Sequence, residues 1–190
     1  MFEAHMFIGP MYSGKSTELL RQASRYRSIG KHVLLVNHTN DTRTDESIKT
    51  HNNLKHHAVK VKDLMTLTHN TYLKDVDVIA IDEAQFFTDL KQFILSIENS
   101  NMILYMSGLD GDSNRNPFGQ ILECIPLCDS VVKLRALDMI DCDGHTKAPF
   151  TLRIKNDTDS QVHIGAKESY KAVSRINYLT SIHYTTKVEL

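Results

Sequence analysis

The chain has 190 residues, with 22 Lys plus Arg against 23 Asp plus Glu, a formal net charge of -1 and three cysteines. A near-neutral balance gives no reason to expect a nucleic-acid or membrane-surface partner, and apolar runs that are short and broken by charges exclude an evident membrane span or secretory leader. Cys124, Cys128 and Cys142 are too few for a disulfide framework, so a soluble cytoplasmic protein in a reducing compartment is expected, long enough to bury a real core.

The first apolar run, Met6-Phe7-Ile8, reads as a buried strand. It runs straight into Gly9-Pro10-Met11-Tyr12-Ser13-Gly14-Lys15-Ser16, a complete G-x-x-x-x-G-K-[ST] phosphate-binding loop. Its glycines let successive backbone N–H groups turn inward on a polyphosphate, Lys15 reaches the β and γ phosphates, and Ser16 offers its hydroxyl to Mg²⁺. From Thr17 onward Leu19, Leu20, Ala23, Tyr26 and Ile29 recur at helical spacing up to Gly30. His32 to Asn37 is a second strand, so the chain opens as β-loop-α-β, the start of a parallel sheet.

Residues 38 to 57 are polar and read as a long functional loop. Val76 to Ile81 is a buried strand ending in Asp82-Glu83, Phe86 to Ile97 has helical spacing, and Met102 to Met106 is a further strand ending at Gly108. Leu109 to Gly119 carries Gly, Asp and Pro turn signals and reads as a site-forming loop. Ile121 to Leu127 is a short helix and Ser130 to Leu134 a strand. Asp138 to Pro149 is turn-rich, Phe150 to Ile154 and Gln161 to Ile164 read as strands, and the tail is mixed. The expected fold is α/β: a P-loop (RecA-like) parallel sheet flanked by helices over residues 1–135, then a small β-rich subdomain over 136–190.

Asp82 and Glu83 end an apolar strand, and in a parallel sheet the strand C-termini converge on the ligand. With a phosphate loop upstream, Asp82 is expected to orient a Mg²⁺-bound water and Glu83 to accept a proton from an attacking hydroxyl or water. Without that loop the two carboxylates would be an ordinary solvated turn.

Three stretches in this order, Gly9 to Leu19, Asp82-Glu83-Ala84-Gln85-Phe86-Phe87, and Leu109-Asp110-Gly111-Asp112-x-x-Arg115-x-Pro117-Phe118-Gly119, resemble the type II thymidine kinases. The resemblance runs from Phe7 to about Tyr178 and is strongest before residue 136. It implies transfer of the ATP γ-phosphoryl group to the 5′-hydroxyl of thymidine in nucleotide salvage, with deoxyuridine left open as a further acceptor. Gly9 to Thr17, including Lys15 and Ser16, then bind ATP, Ser16 and Asp82 hold Mg²⁺, and Glu83 deprotonates the 5′-hydroxyl. Asp41-Thr42-Arg43 resembles the family's flexible-loop motif, whose Arg steadies charge on the transferred group; alone, Arg43 would be a solvated loop cation. Met11, Gln85, Phe86, Arg115 and Phe118 fall where the family encloses the nucleoside, though Phe86 is also a candidate core residue.

The C-terminal segment resembles the family's lasso, which reads the base largely through the main chain. Thr151, Gln161, His163, Ile164, Gly165 and Tyr170 are the nucleoside-binding candidates there; the plain alternative for Tyr170 is a half-buried packing tyrosine. The resemblance also implies a homotetramer and feedback inhibition by thymidine triphosphate at the nucleoside site, with no nucleic-acid or membrane partner.

The sequence departs from the family in three places. Its lasso is usually stapled by zinc on two Cys-x-x-Cys pairs, but Leu137 to His145 holds one cysteine and Val173 to Tyr178 none. Zinc is therefore not expected, with Cys142 and His145 as weak candidates for half a site. Ser113 stands where the family commonly has a Phe against the base, which removes about 0.5–1.5 kcal/mol of ring contact. His163 and Ala166 replace small or apolar lasso residues. Two other classes remain open: a P-loop NTPase whose hydrolysis drives motion, and a nucleotide-binding regulator without nucleoside phosphorylation. Stimulation of hydrolysis by DNA would mark the first, and thymidine binding without turnover the second.

Overall fold

The computed structural model describes residues 1–41, 47–49, 55–69, 71–154 and 169–188, without the side chains of 47–49, 55–56 and 182–188. Six strands form one sheet: β1 (Glu3–Ile8), β2 (Val33–His38), β5 (Val59–Val61), β6 (Val78–Ile81), β7 (Ile103–Gly108) and β8 (Ser130–Lys133). They lie side by side in the order β5-β2-β6-β7-β1-β8, and every neighbouring pair is parallel. A short antiparallel pair, β3 (Ser47–Lys49) and β4 (Lys55–His57), precedes β5.

Strand side chains alternate between faces, and the two faces carry different cores. Phe7, Leu35, Val78, Ala80 and Tyr105 pack with Leu19, Leu20 and Ala23 of α1 (Lys15–Ser28). On the other face Met6, Ile8, Val36, Ile79, Ile81, Leu104 and Met106 meet Leu67 of α2 (Met65–His69) and Leu90, Phe93, Ile94 and Ile97 of α3 (Leu90–Ile97). Ile121 and Cys124 of the 3-10 segment Ile121–Leu127 complete that layer. The result is a parallel sheet flanked by helices, as its near-continuous apolar strands require.

Several elements differ from expectation for identifiable reasons. Ile29 was assigned to the apolar face of α1, but it caps the helix C-terminus and is exposed, with the chain turning at Gly30. The helix expected over Phe86–Ile97 is two pieces, a 3-10 turn at Ala84–Phe86 and α3 from Leu90. Phe87 between them is extended, and the Asp89 carboxylate leaves its own helix end to accept from the Met65 N–H at 2.9 Å. The 38–57 stretch, expected as loop, contains β3 and β4, and α2 and β5 carried too short an apolar pattern to be expected.

After β8 the chain builds a β-rich subdomain from two antiparallel pairs: β9 (Ala136–Leu137) with β10 (Lys147–Ala148), and β11 (Phe150–Arg153) with β12 (Tyr170–Val173). The strand expected at Gln161–Ile164 lies outside the described residues. The tail, read as mixed, is α4 (Arg175–Val188). Tyr12 of the Gly9–Ser16 loop packs against the small core of Ala136, Ala148 and Ala172, so the subdomain closes onto the sheet at that loop.

Asp138 holds the subdomain together. Its carboxylate is 3% exposed and accepts from the Ile140 N–H at 2.7 Å, the Asp141 N–H at 3.0 Å, the Asn177 amide at 3.1 Å and the Ser174 N–H. Those donors come from the two stretches that depart from the Cys-x-x-Cys pattern. Burial alone would push this carboxyl up, but the four hydrogen bonds outweigh it and hold the carboxyl well below the ordinary carboxylate range. Cys142 and His145 lie outside this cluster, both exposed, with the His145 ring against the Asp143 carbonyl at 2.6 Å.

Two outcomes follow for stability. Phe93→Ala, which empties the core between α3 and the sheet, costs about 3–5 kcal/mol in urea unfolding. Asp138→Ala leaves buried donors unpaired and costs about 1–3 kcal/mol at neutral pH. Because the folded pKa is depressed, the Asp138 contribution is complete above the unfolded value of about 3.9. It is lost as pH falls toward the folded value, so melts of parent and variant converge in acid.

Candidate active site

The C-terminal ends of β1, β2, β6 and β7 meet at one edge of the sheet, and each delivers a polar group there. From β1 comes the loop Gly9 to Ser16. Gly9 has φ 145°, and a Cβ there would come 2.4 Å from the Leu134 carbonyl oxygen, so only glycine lets the loop pass under the end of β8. Gly14 (φ 85°) caps α1 in the left-handed region, and Tyr12 shares that region at φ 64°. Ser13 Oγ and Lys15 Nζ both donate to the Pro10 carbonyl, at 2.8 and 2.7 Å, which folds the lysine over its own loop. The loop is the N-terminus of a 14-residue helix, a ready site for an anion.

From β6 come Asp82 and Glu83. Asp82 is 1% exposed; its Oδ1 accepts from Ser16 Oγ at 3.0 Å and from Ser107 Oγ of β7. The carboxylate therefore ties the loop after β1 to the end of β7. Ser16 and Asp82 present hard oxygen donors side by side, the donor chemistry that suits Mg²⁺, which needs few protein ligands when phosphates and water supply the rest. Among the described residues no group of three or more His, Cys, Asp and Glu side chains is arranged to hold a metal ion. Glu83 sits in the left-handed region at φ 53° and ψ 41°, strained for a residue with a side chain, and starts the Ala84–Phe86 turn. Gln85 Nε2 donates to Glu83 Oε2 at 2.6 Å.

Aromatic walls stand beside the carboxylates. Phe86 is half-buried and lies edge-on to buried Phe118 at 5.6 Å between ring centroids. His38 at the end of β2 contacts both Phe86 (5.7 Å) and Phe87 (4.7 Å). Burial pushes His38 below its ordinary pKa, outweighing a hydrogen bond to the Lys62 backbone and the nearby Asp63 and Asp89 charges. Beyond it, buried Asp41 accepts from the Asn37 amide at 2.8 Å and fixes the root of the Asp41-Thr42-Arg43 stretch.

The Leu109–Gly119 loop folds on itself. Asp112 Oδ1 accepts from the Asn114 and Asn116 N–H groups at 2.9 and 2.8 Å, and Asp110 pairs with Lys133 of β8 at 2.6 Å. Arg115 is exposed and directs its guanidinium over Tyr178 (4.4 Å) and Phe150 (5.6 Å), gripping the C-terminal subdomain. The Ser113 main-chain carbonyl accepts from the Tyr178 hydroxyl at 2.7 Å, which fastens α4 to the loop.

The subdomain reaches back to the loop after β1. The Met11 N–H donates to Thr151 Oγ1 at 3.0 Å, and the Tyr12 hydroxyl lies 3.5 Å from the Tyr170 carbonyl. Arg153 donates to the Tyr170 hydroxyl at 3.1 Å and lies over its ring. Met11, Thr151 and Tyr170 thus fall on one seam with the Gly9–Ser16 loop. Arg43, Gln161, His163, Ile164 and Gly165 lie outside the described residues. Sequence reasoning passed over Ser107, His38 and Asn37. All three stand at strand C-termini, where the parallel sheet alone could have flagged them.

The protein family model described as thymidine kinase matches residues 3–178. The thymidine kinase of Yaba monkey tumor virus (strain VR587) is 40% identical over 174 residues, covering 92% of this chain and 93% of the relative. Thymidine kinase a of Arabidopsis thaliana is 40% identical over 182 residues, 93% of this chain and 75% of the plant protein. The thymidine kinase of Vaccinia virus (strain Western Reserve) is 36% identical over 176 residues, 93% of this chain and 96% of the relative. These matches span the sheet, the Gly9–Ser16 loop and the C-terminal subdomain together, and the chain belongs to the thymidine kinase family.

Proposed function

We propose that this protein is an ATP-dependent thymidine kinase that transfers the γ-phosphoryl group to the 5′-hydroxyl of thymidine. The observation that carries the reading is the meeting of Lys15, Ser16, Asp82 and Glu83 at one sheet edge, with Ser16 and Asp82 joined at 3.0 Å, in a chain of this family. The Gly9–Ser16 loop works as a P-loop on a RecA-like sheet: its amides and the α1 N-terminus cradle the ATP phosphates, with Thr17 in the first turn. Lys15 leaves the Pro10 carbonyl to pair with the β and γ phosphates. Ser16 and Asp82 hold Mg²⁺, which when bound neutralises charge on the β and γ phosphates. Glu83, held in a strained turn at the mouth of the site, accepts the proton of the 5′-hydroxyl as that oxygen attacks phosphorus. Arg43 stabilises charge on the transferred group.

The sheet region up to residue 135 binds ATP, and the subdomain from 136 onward closes over the nucleoside. Phe86 and Phe118 form the wall for the sugar and base, Met11, Thr151 and Tyr170 line the closing side, and Gln161, His163, Ile164 and Gly165 are further nucleoside-binding residues. Because the Arg115 guanidinium is engaged by Tyr178 and Phe150, its part in nucleoside binding is to keep that closure in place. With Ser113 in place of the family's Phe, the base lacks one aromatic wall, and deoxyuridine is accepted as well as thymidine. A homotetramer, inhibition by thymidine triphosphate and a cytoplasmic location complete the proposal; among the described residues no helix is long and apolar enough to cross a membrane.

Initial rates with ATP and Mg²⁺ across thymidine, deoxyuridine, deoxycytidine and deoxyguanosine test the reading. Thymidine is expected to turn over fastest, and Glu83→Gln to lower kcat about 100- to 10,000-fold while ATP still binds. A folded, ATP-binding protein with no turnover on any nucleoside would sink the proposal.

A further inference from the structure

We infer that Gln85 is a positioning residue that aims the Glu83 carboxylate and links its position to the Leu109–Gly119 loop; this rests on the reading of Glu83 as the proton acceptor. Gln85 is 2% exposed and stands in the Ala84–Phe86 turn, with its amide spanning two partners. Its Oε1 accepts from the Leu109 N–H at 3.0 Å, and its Nε2 donates to Glu83 Oε2 at 2.6 Å. A backbone N–H can only donate, so the Leu109 bond decides which end of the amide is oxygen. The NH₂ end is then aimed at the Glu83 carboxylate, which accepts.

Both ends of the site loop are shaped around this residue. A Cβ on Gly108, just before Leu109, would come 2.6 Å from Gln85 Oε1 and 2.6 Å from Ile121 Cδ1. A Cβ on Gly119, where φ is 60°, would come 2.0 Å from the Gln85 carbonyl oxygen. Glycine at these two positions lets the loop close over the amide and main chain of Gln85. Glu83 itself occupies a left-handed backbone that a carboxylate-bearing residue adopts only when its surroundings hold it there. The Gln85 amide is a planar link about as rigid as a peptide. A movement of Leu109 would reach the Glu83 oxygens through this one side chain. The geometry therefore gives Gln85 a role different from direct contact with the nucleoside, since both ends of its amide meet protein groups.

Two variants separate the bonds. Gln85→Met fills a similar volume but keeps neither bond. Gln85→Glu keeps the shape and an acceptor for Leu109, but it sets a second carboxyl against Glu83, so the pair shares a proton and Glu83 is the poorer base. Both are expected to lower kcat about 10- to 100-fold, the scale of a small misplacement at the reacting centre, with the KM for ATP unchanged. The decisive readout is the double-mutant comparison in thymidine phosphorylation. In the Glu83→Gln background, Gln85→Met is expected to cost little further, because the group it aims is already lost. The same fold-loss in both backgrounds would show a merely structural role and overturn the inference, as would parent-like kcat in both single variants. If Glu83→Gln itself keeps parent turnover, the reading of Glu83 fails first. If Gln85→Met melts below the assay temperature, the comparison is made with Gln85→Glu, which preserves the packing.

Discussion

The buried Asp82 carboxylate is the interaction on which the arrangement of this molecule turns. It sits at the C-terminal end of β6, deep in the sheet order, and receives hydroxyl donors from Ser16 after β1 and from Ser107 at the end of β7. The loop after β1 and the neighbouring strands β6 and β7 are thereby tied together at the edge where the site forms. A carboxylate removed from water must be compensated locally, so the serines serve packing as well as chemistry. Under the proposed reading, the oxygens of Ser16 and Asp82 would also hold the metal. Stability and function then draw on one set of atoms, and the fold cannot drift at this point without the site drifting with it.

Close backbone approach is the second constraint. Gly9 passes under the Leu134 carbonyl, and Gly108 and Gly119 close on Gln85, all without room for a Cβ. These contacts set how near the loops come to each other, and therefore where Glu83 and Lys15 can stand. The backbone at Glu83 and Tyr12 takes the left-handed region that glycine would adopt freely. Such strain persists where surroundings over-determine it, here in the turn after β6 and in the loop that carries Lys15.

The C-terminal subdomain solves a different problem with hydrogen bonds and rings. Its cores are small, built from Ala136, Ala148 and Ala172 in one place and Leu152, Val173 and Tyr178 in another. Asp138 joins the segments 36 residues apart that carry Ser174 and itself, and Arg115 and Arg175 cover the rings of Phe150 and Tyr178. The Tyr178 hydroxyl then reaches the site loop at Ser113. That bond uses the main-chain carbonyl of Ser113, so loop and helix are fastened here whatever side chain the position carries.

The Gly9–Ser16 motif, the apolar strands and the Asp82-Glu83 pair were legible in the sequence because each is a local pattern: glycines at fixed spacing, runs matched to a buried parallel sheet, acids at a strand end. The strand order and the split between Phe86 and α3 were decided by long-range packing, which periodicity does not encode. Ser107, His38 and Asp138 carried no motif of their own. Their roles arise only when distant backbone segments come within hydrogen-bond reach. Composition and motif thus determined the kind of chemistry this chain is built for. Tertiary structure decided which side chains aim it, because aim depends on distances between residues the chain itself keeps far apart.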